Sequence, residues 1–185
     1  MKPSLLIASI AAALLAGGGM ALNWTGTLVR WLPAPLRPYA LFSVALFYVL
    51  GGLLIGLSAG RRWTAPATFA VAACVPGYWI PLLTMATQGL HRPLDLFLAQ
   101  WALPMLAHGV MGMVGGLATG QRWRPSLVVG AAFALGVALG PTLAWIWADL
   151  LGPVPSIIFA FGTPWLTGGA TLARLGARAA PAAAA

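Results

Sequence analysis

A chain of 185 residues in which 61% are hydrophobic and 6% charged, with a mean hydropathy of +0.91, is too apolar for a water-soluble globule and too short for several domains. Its formal charge of +8 is scattered between apolar stretches, forms no basic stripe and comes with no nucleic-acid motif, so nucleic acid is excluded as a partner. A single cysteine, Cys74, rules out an intrachain disulfide, a CxxC redox pair and a thiolate metal cluster.

The charged residues cut the rest into six uncharged stretches of roughly 23–28 residues, each enough for one crossing of a hydrocarbon core about 30 Å thick. The expected fold class is all-α: a polytopic membrane helix bundle of about six transmembrane helices, placed near 4–24, 39–59, 65–88, 95–119, 126–148 and 155–173, making one transmembrane domain over 1–178. Continuous apolar runs, where a barrel needs alternation, argue against a membrane β-barrel.

In chain order, Lys2, the apolar run Leu5–Leu15 and Gly19-Met20-Ala21 have the pattern of a secretory signal, read here as an uncleaved signal-anchor helix. Ala8, Ala12 and Ala16 put small residues on one face of that helix. The Asn23-Trp24-Thr25 sequon matters only in a secretory-pathway host. Between Trp31 and Tyr39 three prolines remove backbone donors, which predicts an irregular outer loop on the membrane surface.

The second span carries Gly52-xxx-Gly56-xxx-Gly60 and the fourth Gly112-xxx-Gly116-xxx-Gly120, helix-packing faces that let backbones approach closely where lipid offers no hydrophobic drive. Gly169, Ala173 and Ala177 do the same in the sixth. In the third span Pro76-Gly77 and Pro81 predict a helix break, and Gly140-Pro141 predict one at the matching level of the fifth. Paired breaks of this kind are candidate substrate or ion pathways, because freed carbonyls can line a cavity.

Asp95, just after Pro93, is placed to complement the dipole at the start of the fourth span. Asp149, at the end of the fifth, is opposed by the dipole and so implies a cationic partner among Arg30, Arg37 and Arg92; it joins the candidate pathway. His108 is the one strongly polar, titratable side chain near mid-span and is a functional candidate by position. Met105, His108 and Met111 share about half the helix circumference, a candidate metal set. No cofactor is expected, and haem or copper on those three residues is the alternative. The Ala-rich tail 179–185 is expected to be disordered.

At an offset of 60 residues Gly52, Gly56, Leu57, Gly60, Arg62, Trp63, Ala72, Pro81 and Leu83 fall on Gly112, Gly116, Leu117, Gly120, Arg122, Trp123, Ala132, Pro141 and Leu143. The implied origin is a duplicated helical hairpin, repeat 1 near 39–88 and repeat 2 near 99–148, both copies in the same orientation. Lys2, Arg61, Arg62, Arg122, Arg124, Arg174 and Arg178 fall on one side and Arg30, Arg37 and Arg92 on the other, which points to an inner-membrane protein with both termini in the cytoplasm. Most tryptophans, Trp165 among them, fall near span ends and read as an interfacial belt.

Motifs for hydrolysis, zinc peptidase chemistry and nucleotide binding are missing, as are paired carboxylates at membrane depth. The expected function is therefore non-enzymatic: a permease-type translocator of a small solute, or a membrane subunit of a larger complex. The lipid bilayer is the first partner, with other membrane subunits or a second copy as further ones. The rivals are a haem- or copper-binding redox subunit using His108 and a pure scaffold.

Overall fold

The computed structural model describes residues 2–59, 64–86 and 93–178. The chain is all-α, and among the described residues no strand occurs. Helix α1 spans Pro3–Trp24, α2 Thr27–Trp31, α3 Val44–Ala59, α4 Thr64–Ala86, α5 Pro93–Phe97, α6 Leu103–Ala118, α7 Trp123–Leu151 and α8 Pro153–Arg178. Among these elements Pro3–Trp24, Leu98–Ala118 and Trp123–Leu151 are long and apolar enough to cross a membrane. Ala34–Ala40 and Val44–Ala59 together make a fourth candidate if the pair, bent by 69°, forms one span.

Local chemistry explains the ends. Pro3 and Pro153 open α1 and α8, where a missing N–H costs nothing. Gly26 and Gly152 adopt φ of 69° and 76°, a backbone turn that side chains with a Cβ resist. Helix α6 closes with Gly120 at φ 86°, the Gly120 amide donating to the Leu117 carbonyl and the Gln121 amide to that of Gly116. That is a Schellman closure, so the expectation that Gly120 serves helix packing is corrected: it ends the helix. Gly60, its counterpart, lies outside the described residues, as do Arg61, Arg62, Trp63, His91, Arg92 and the tail 179–185.

The proline-rich stretch is also corrected, from irregular loop to a 3-10 helix over Ala34–Ser43 with Pro38 inside it. The fixed φ of proline suits this tighter helix.

The six long helices close a ring. Helix α1 packs on α3, α3 on α4, α4 on α6, α6 on α7, α7 on α8, and α8 returns to α1. Lys2 ties the seam at one end: its amide donates to the Ala173 carbonyl at 3.2 Å, and its Nζ donates to the Ser58 and Ala59 carbonyls at 3.2 and 3.1 Å. A cation on the last carbonyls of α3 also complements that helix's dipole.

Close packing comes from the expected glycines. A Cβ on Gly52 would lie 2.7 Å from the Phe69 carbonyl oxygen and one on Gly56 2.5 Å from Pro66 Cα, so α3 and α4 touch backbone to backbone. Gly112 meets Gly130 and Phe133, and Gly116 meets Ser126, on the α6–α7 side. Ala8, Ala12, Ala16, Gly169 and Ala173 are likewise buried. Large apolar side chains face outward from all six long helices, including Ile7, Leu46, Val71, Leu106, Leu135 and Phe159, an exterior that suits lipid and not water.

Candidate functional site in the ring interior

Helix α6 is reached through a π-helical turn, Leu98–Ala102, just before Pro104. Pro104 has no N–H to continue the ordinary ladder, and the wider turn accommodates that loss. One turn later stands His108, 1% exposed. Its Nδ1 lies 2.9 Å from the Pro104 carbonyl oxygen. A carbonyl only accepts, so Nδ1 carries the proton of the neutral ring and Nε2 presents a lone pair to the interior.

Tyr48 of α3 meets the imidazole edge-on, with ring centroids 5.8 Å apart, and meets Trp165 of α8 edge-on at 5.5 Å. Trp165 continues onto Phe133 of α7 at 5.8 Å, and Phe133 onto Phe69 of α4 at 6.2 Å. Five helices thus contribute to one aromatic chain, and Tyr48, Trp165, Phe69 and Phe133 are all fully buried.

Within this apolar setting Tyr48 Oη, His108 Nε2 and Trp165 Nε1 are buried without a hydrogen bond of ordinary length, the Trp165 indole N–H being the side-chain donor that faces the Tyr48 oxygen. Other buried hydroxyls are satisfied locally: Ser9 donates to the Leu5 carbonyl, Thr119 to Gly116, Ser126 to Arg122, Ser156 to Gly152 and Thr163 to Phe159. Leaving a buried polar atom unpaired costs about 1–3 kcal/mol, and low surrounding polarity raises that cost. Three such atoms on rings that meet in sequence, His108 on Tyr48 and Tyr48 on Trp165, set this spot apart. Tyr48 stands eleven residues from the end of α3 and His108 ten from the end of α6, roughly 15 Å along a helix rising about 1.5 Å per residue. His108 is also ten residues from the start of the Leu98–Ala118 helix, its midpoint, whereas Tyr48 is four residues from the start of α3.

The other candidate residues distribute as follows. Gly77 backs this site, since a Cβ there would lie 2.9 Å from both Ala45 Cα and Tyr48 Cβ. Pro76 is fully buried beside it. The expected breaks are corrected: α4 runs on through Pro76, Gly77 and Pro81, and α7 through Gly140 and Pro141. Neighbouring helices hold these residues in helical geometry, and Gly140 fits against the Ala160 backbone of α8.

Asp149 is exposed at the end of α7. Of its expected partners, Arg30 donates to Thr27 Oγ1 and Arg37 to the Leu32 carbonyl, while Arg92 lies outside the described residues. Asp95 stands in the first turn of α5, as its spacing from Pro93 implied.

Met111 is buried inside the ring, but Met105 lines an outer groove of about 470 Å³ between α6 and α7, with Leu106, Gly109 and Met113. The structure therefore does not gather Met105, His108 and Met111 on one centre. Among the described residues no group of three or more His, Cys, Asp or Glu side chains is placed to hold a metal ion.

Two members of the site, Tyr48 and Trp165, escaped the reading of the sequence. Trp165, expected in the interfacial belt, is instead wholly buried, whereas Trp24, Trp31, Trp123 and Trp145 are exposed. A signal for Tyr48 existed, since the 60-residue offset pairs it with His108. No protein-family model, curated protein or solved structure matches this chain.

Proposed function

We propose that this chain is a six-span protein of a bacterial inner membrane, with both termini in the cytoplasm, and that it acts without catalysis as a permease-type translocator of a small solute. The observation that carries the reading is the ring interior: six helices close on one another, and the buried polar atoms Tyr48 Oη, His108 Nε2 and Trp165 Nε1 stand on contacting rings there without hydrogen bonds of ordinary length. A scaffold has no use for that cost, and a solute passing between helices needs such contacts.

Six spans are supported by six rods of 16 to 29 residues that alternate in direction around the ring. Duplication of the α3–α4 hairpin in α6–α7 is supported by contacts that follow the offset of 60 residues. Gly52 approaches Ala70 and Ala73 where Gly112 approaches Gly130 and Phe133, and Gly56 approaches Pro66 where Gly116 approaches Ser126. Cytoplasmic termini are supported by Lys2, Arg122, Arg124 and Arg174, which lie at the same end of the rods.

Two measurements test the reading. Single cysteines at Ser58 and Gln121 in a Cys74→Ser background should react with a membrane-impermeant maleimide from the cytoplasmic side, and one at Asn23 from the opposite side. Purified protein in lipid vesicles should admit small solutes faster than protein-free vesicles. Labelling of Ser58 and Gln121 from opposite sides defeats the topology, and equal permeability across a panel of small neutral solutes defeats translocation.

A further inference from the structure

The Leu98–Ala118 rod that ends in α6 and the α7 rod beside it are both long and apolar enough to cross a membrane. Between them, on the outside of the ring, runs an open groove of about 470 Å³, within the range of about 300–1,000 Å³ usual for small-molecule sites. Small residues make it. A Cβ on Gly130 would fall 2.6 Å from the Gly109 carbonyl oxygen, so the two backbones touch along the floor, and Ala131 and Ala134 add little bulk above it. Met105 and Met113 form flexible walls. A Cβ on Gly109 would still lie 3.6 Å from its nearest neighbour, Ala134 Cβ, so the trough stays open at that level. Every residue that lines it is apolar or glycine.

One end of the trough runs out to positive charge. Arg124, Leu127, Ala131 and Ala134 follow one another at spacings of three and four on α7 and so share one stripe of that helix. The Arg124 guanidinium stands 5.5 Å from the centre of the Trp123 ring, and Arg122, Trp123 and Arg124 are all exposed. Helical side chains lean toward the N-terminus of their helix, which carries Trp123 and Arg124 away from the trough and toward the level of lipid headgroups. From Arg124 to Ala134 is ten residues, about 15 Å at a rise of 1.5 Å per residue. That is half of a hydrocarbon core about 30 Å thick. With its cation among the headgroups, the trough spans one leaflet.

Charge decides the occupant. A second copy inserted in the same orientation brings its own Lys2, Arg122, Arg124 and Arg174 to the same level, like charge against like. A zwitterionic lipid fills the trough but offers the arginine no net charge. An anionic phospholipid answers both features, because its phosphate accepts from the guanidinium while its chain covers the apolar floor. We propose that the α6–α7 groove binds one anionic phospholipid, with the phosphate on Arg124, Arg122 adjoining, and one acyl chain along Met113, Leu127, Ala131 and Ala134. The site requires α6 and α7 to cross the bilayer and is independent of translocation.

Native mass spectrometry of the full chain in a neutral detergent, titrated with phosphatidylglycerol or with phosphatidylcholine of the same chains, counts the bound lipid. One phosphatidylglycerol should bind about five- to thirtyfold more tightly than phosphatidylcholine, as expected for one to two arginines at about 1 kcal/mol each. Inorganic phosphate, which has no chain, should not displace it. Arg124→Gln should weaken phosphatidylglycerol by about fivefold and leave phosphatidylcholine unchanged. Ala131→Trp fills the trough from an exposed position and should remove the tight site while both arginines remain. Arg174→Gln takes the same charge from the same end of the rods, but from exposed α8 surface, and should leave the site intact. Circular dichroism and elution volume confirm the fold of each variant.

Equal affinity for the two lipids overturns the proposal. So does an equal loss in Arg124→Gln and Arg174→Gln, which would mean attraction by the whole basic end. Displacement by inorganic phosphate would make this a free-anion site, and a lipid-independent dimer that Ala131→Trp separates would give the groove to a second copy; either result also overturns it. Should Ala131→Trp fail to fold, the comparison of Arg124→Gln with Arg174→Gln, both at exposed positions, decides alone.

Discussion

Substituting Gly56 by alanine tests the packing argument most directly. The added methyl would sit 2.5 Å from Pro66 Cα, 2.8 Å from Pro66 N and 3.0 Å from the Ala65 carbonyl oxygen. All three are backbone atoms, so no side chain can swing aside. Ordinary carbon contacts lie near 3.5 Å or beyond, so α3 and α4 must part locally by about 1 Å, and a gap of that size forfeits roughly a quarter to a half of each contact's attraction. Overpacking of this kind costs about 1–3 kcal/mol.

Alanine also favours a helix over glycine by about 1 kcal/mol, which masks part of the loss. Gly18→Ala provides the control, since nothing lies within 4 Å of a Cβ there and only the helix gain remains. The difference between the two variants cancels the propensity and should be about 1–3 kcal/mol. Gly116→Ala should fall between them, because its nearest neighbours are Ser126 Oγ at 3.0 Å and Ser126 Cα and Cβ, both at 3.1 Å. Unfolding in mixed micelles by stepwise addition of denaturing detergent, followed by circular dichroism, gives the order. Gly56→Ala matching or exceeding Gly18→Ala in stability would refute the reasoning.

Other substitutions address different links. Lys2→Met should lower stability by about 1 kcal/mol through loss of charge-assisted bonds to the end of α3, and Lys2→Arg should recover much of it; equal unfolding midpoints for Met and Lys would remove the seam tie. Gly120→Ala forces a Cβ into the left-handed region at φ 86° and should cost about 1–2 kcal/mol, in the same micelle assay. Cys74 is exposed on α4 and should react with an apolar, membrane-partitioning maleimide while resisting a charged one in intact vesicles. Rapid reaction with the charged reagent would place that face of α4 in water.

The glycine faces were legible because spacing by four residues puts side chains on one side of a helix whatever the fold, and Gly52, Gly56, Gly112 and Gly116 are all at helix contacts. His108 was legible because a titratable group in an apolar run is rare. Trp165 was not, because amphipathic rings near span ends usually rest at the interface, and only the helices around α8 make its position an interior one. The proline positions misled for a related reason. Local rules count the hydrogen bonds a proline removes, while the helix survives when packed neighbours hold its geometry.

Apolar length, the isolated charges and the small-residue spacing fixed by themselves that the chain forms apolar helices and which residues share a helix face. Ring closure could not be read that way, because it joins α1 to α8 across nearly the whole sequence. Which face turns inward depends on both neighbours of each helix at once. Only that arrangement brings Tyr48, His108 and Trp165 to one place, since periodicity orders residues along a rod while convergence on an axis is a property of several rods together.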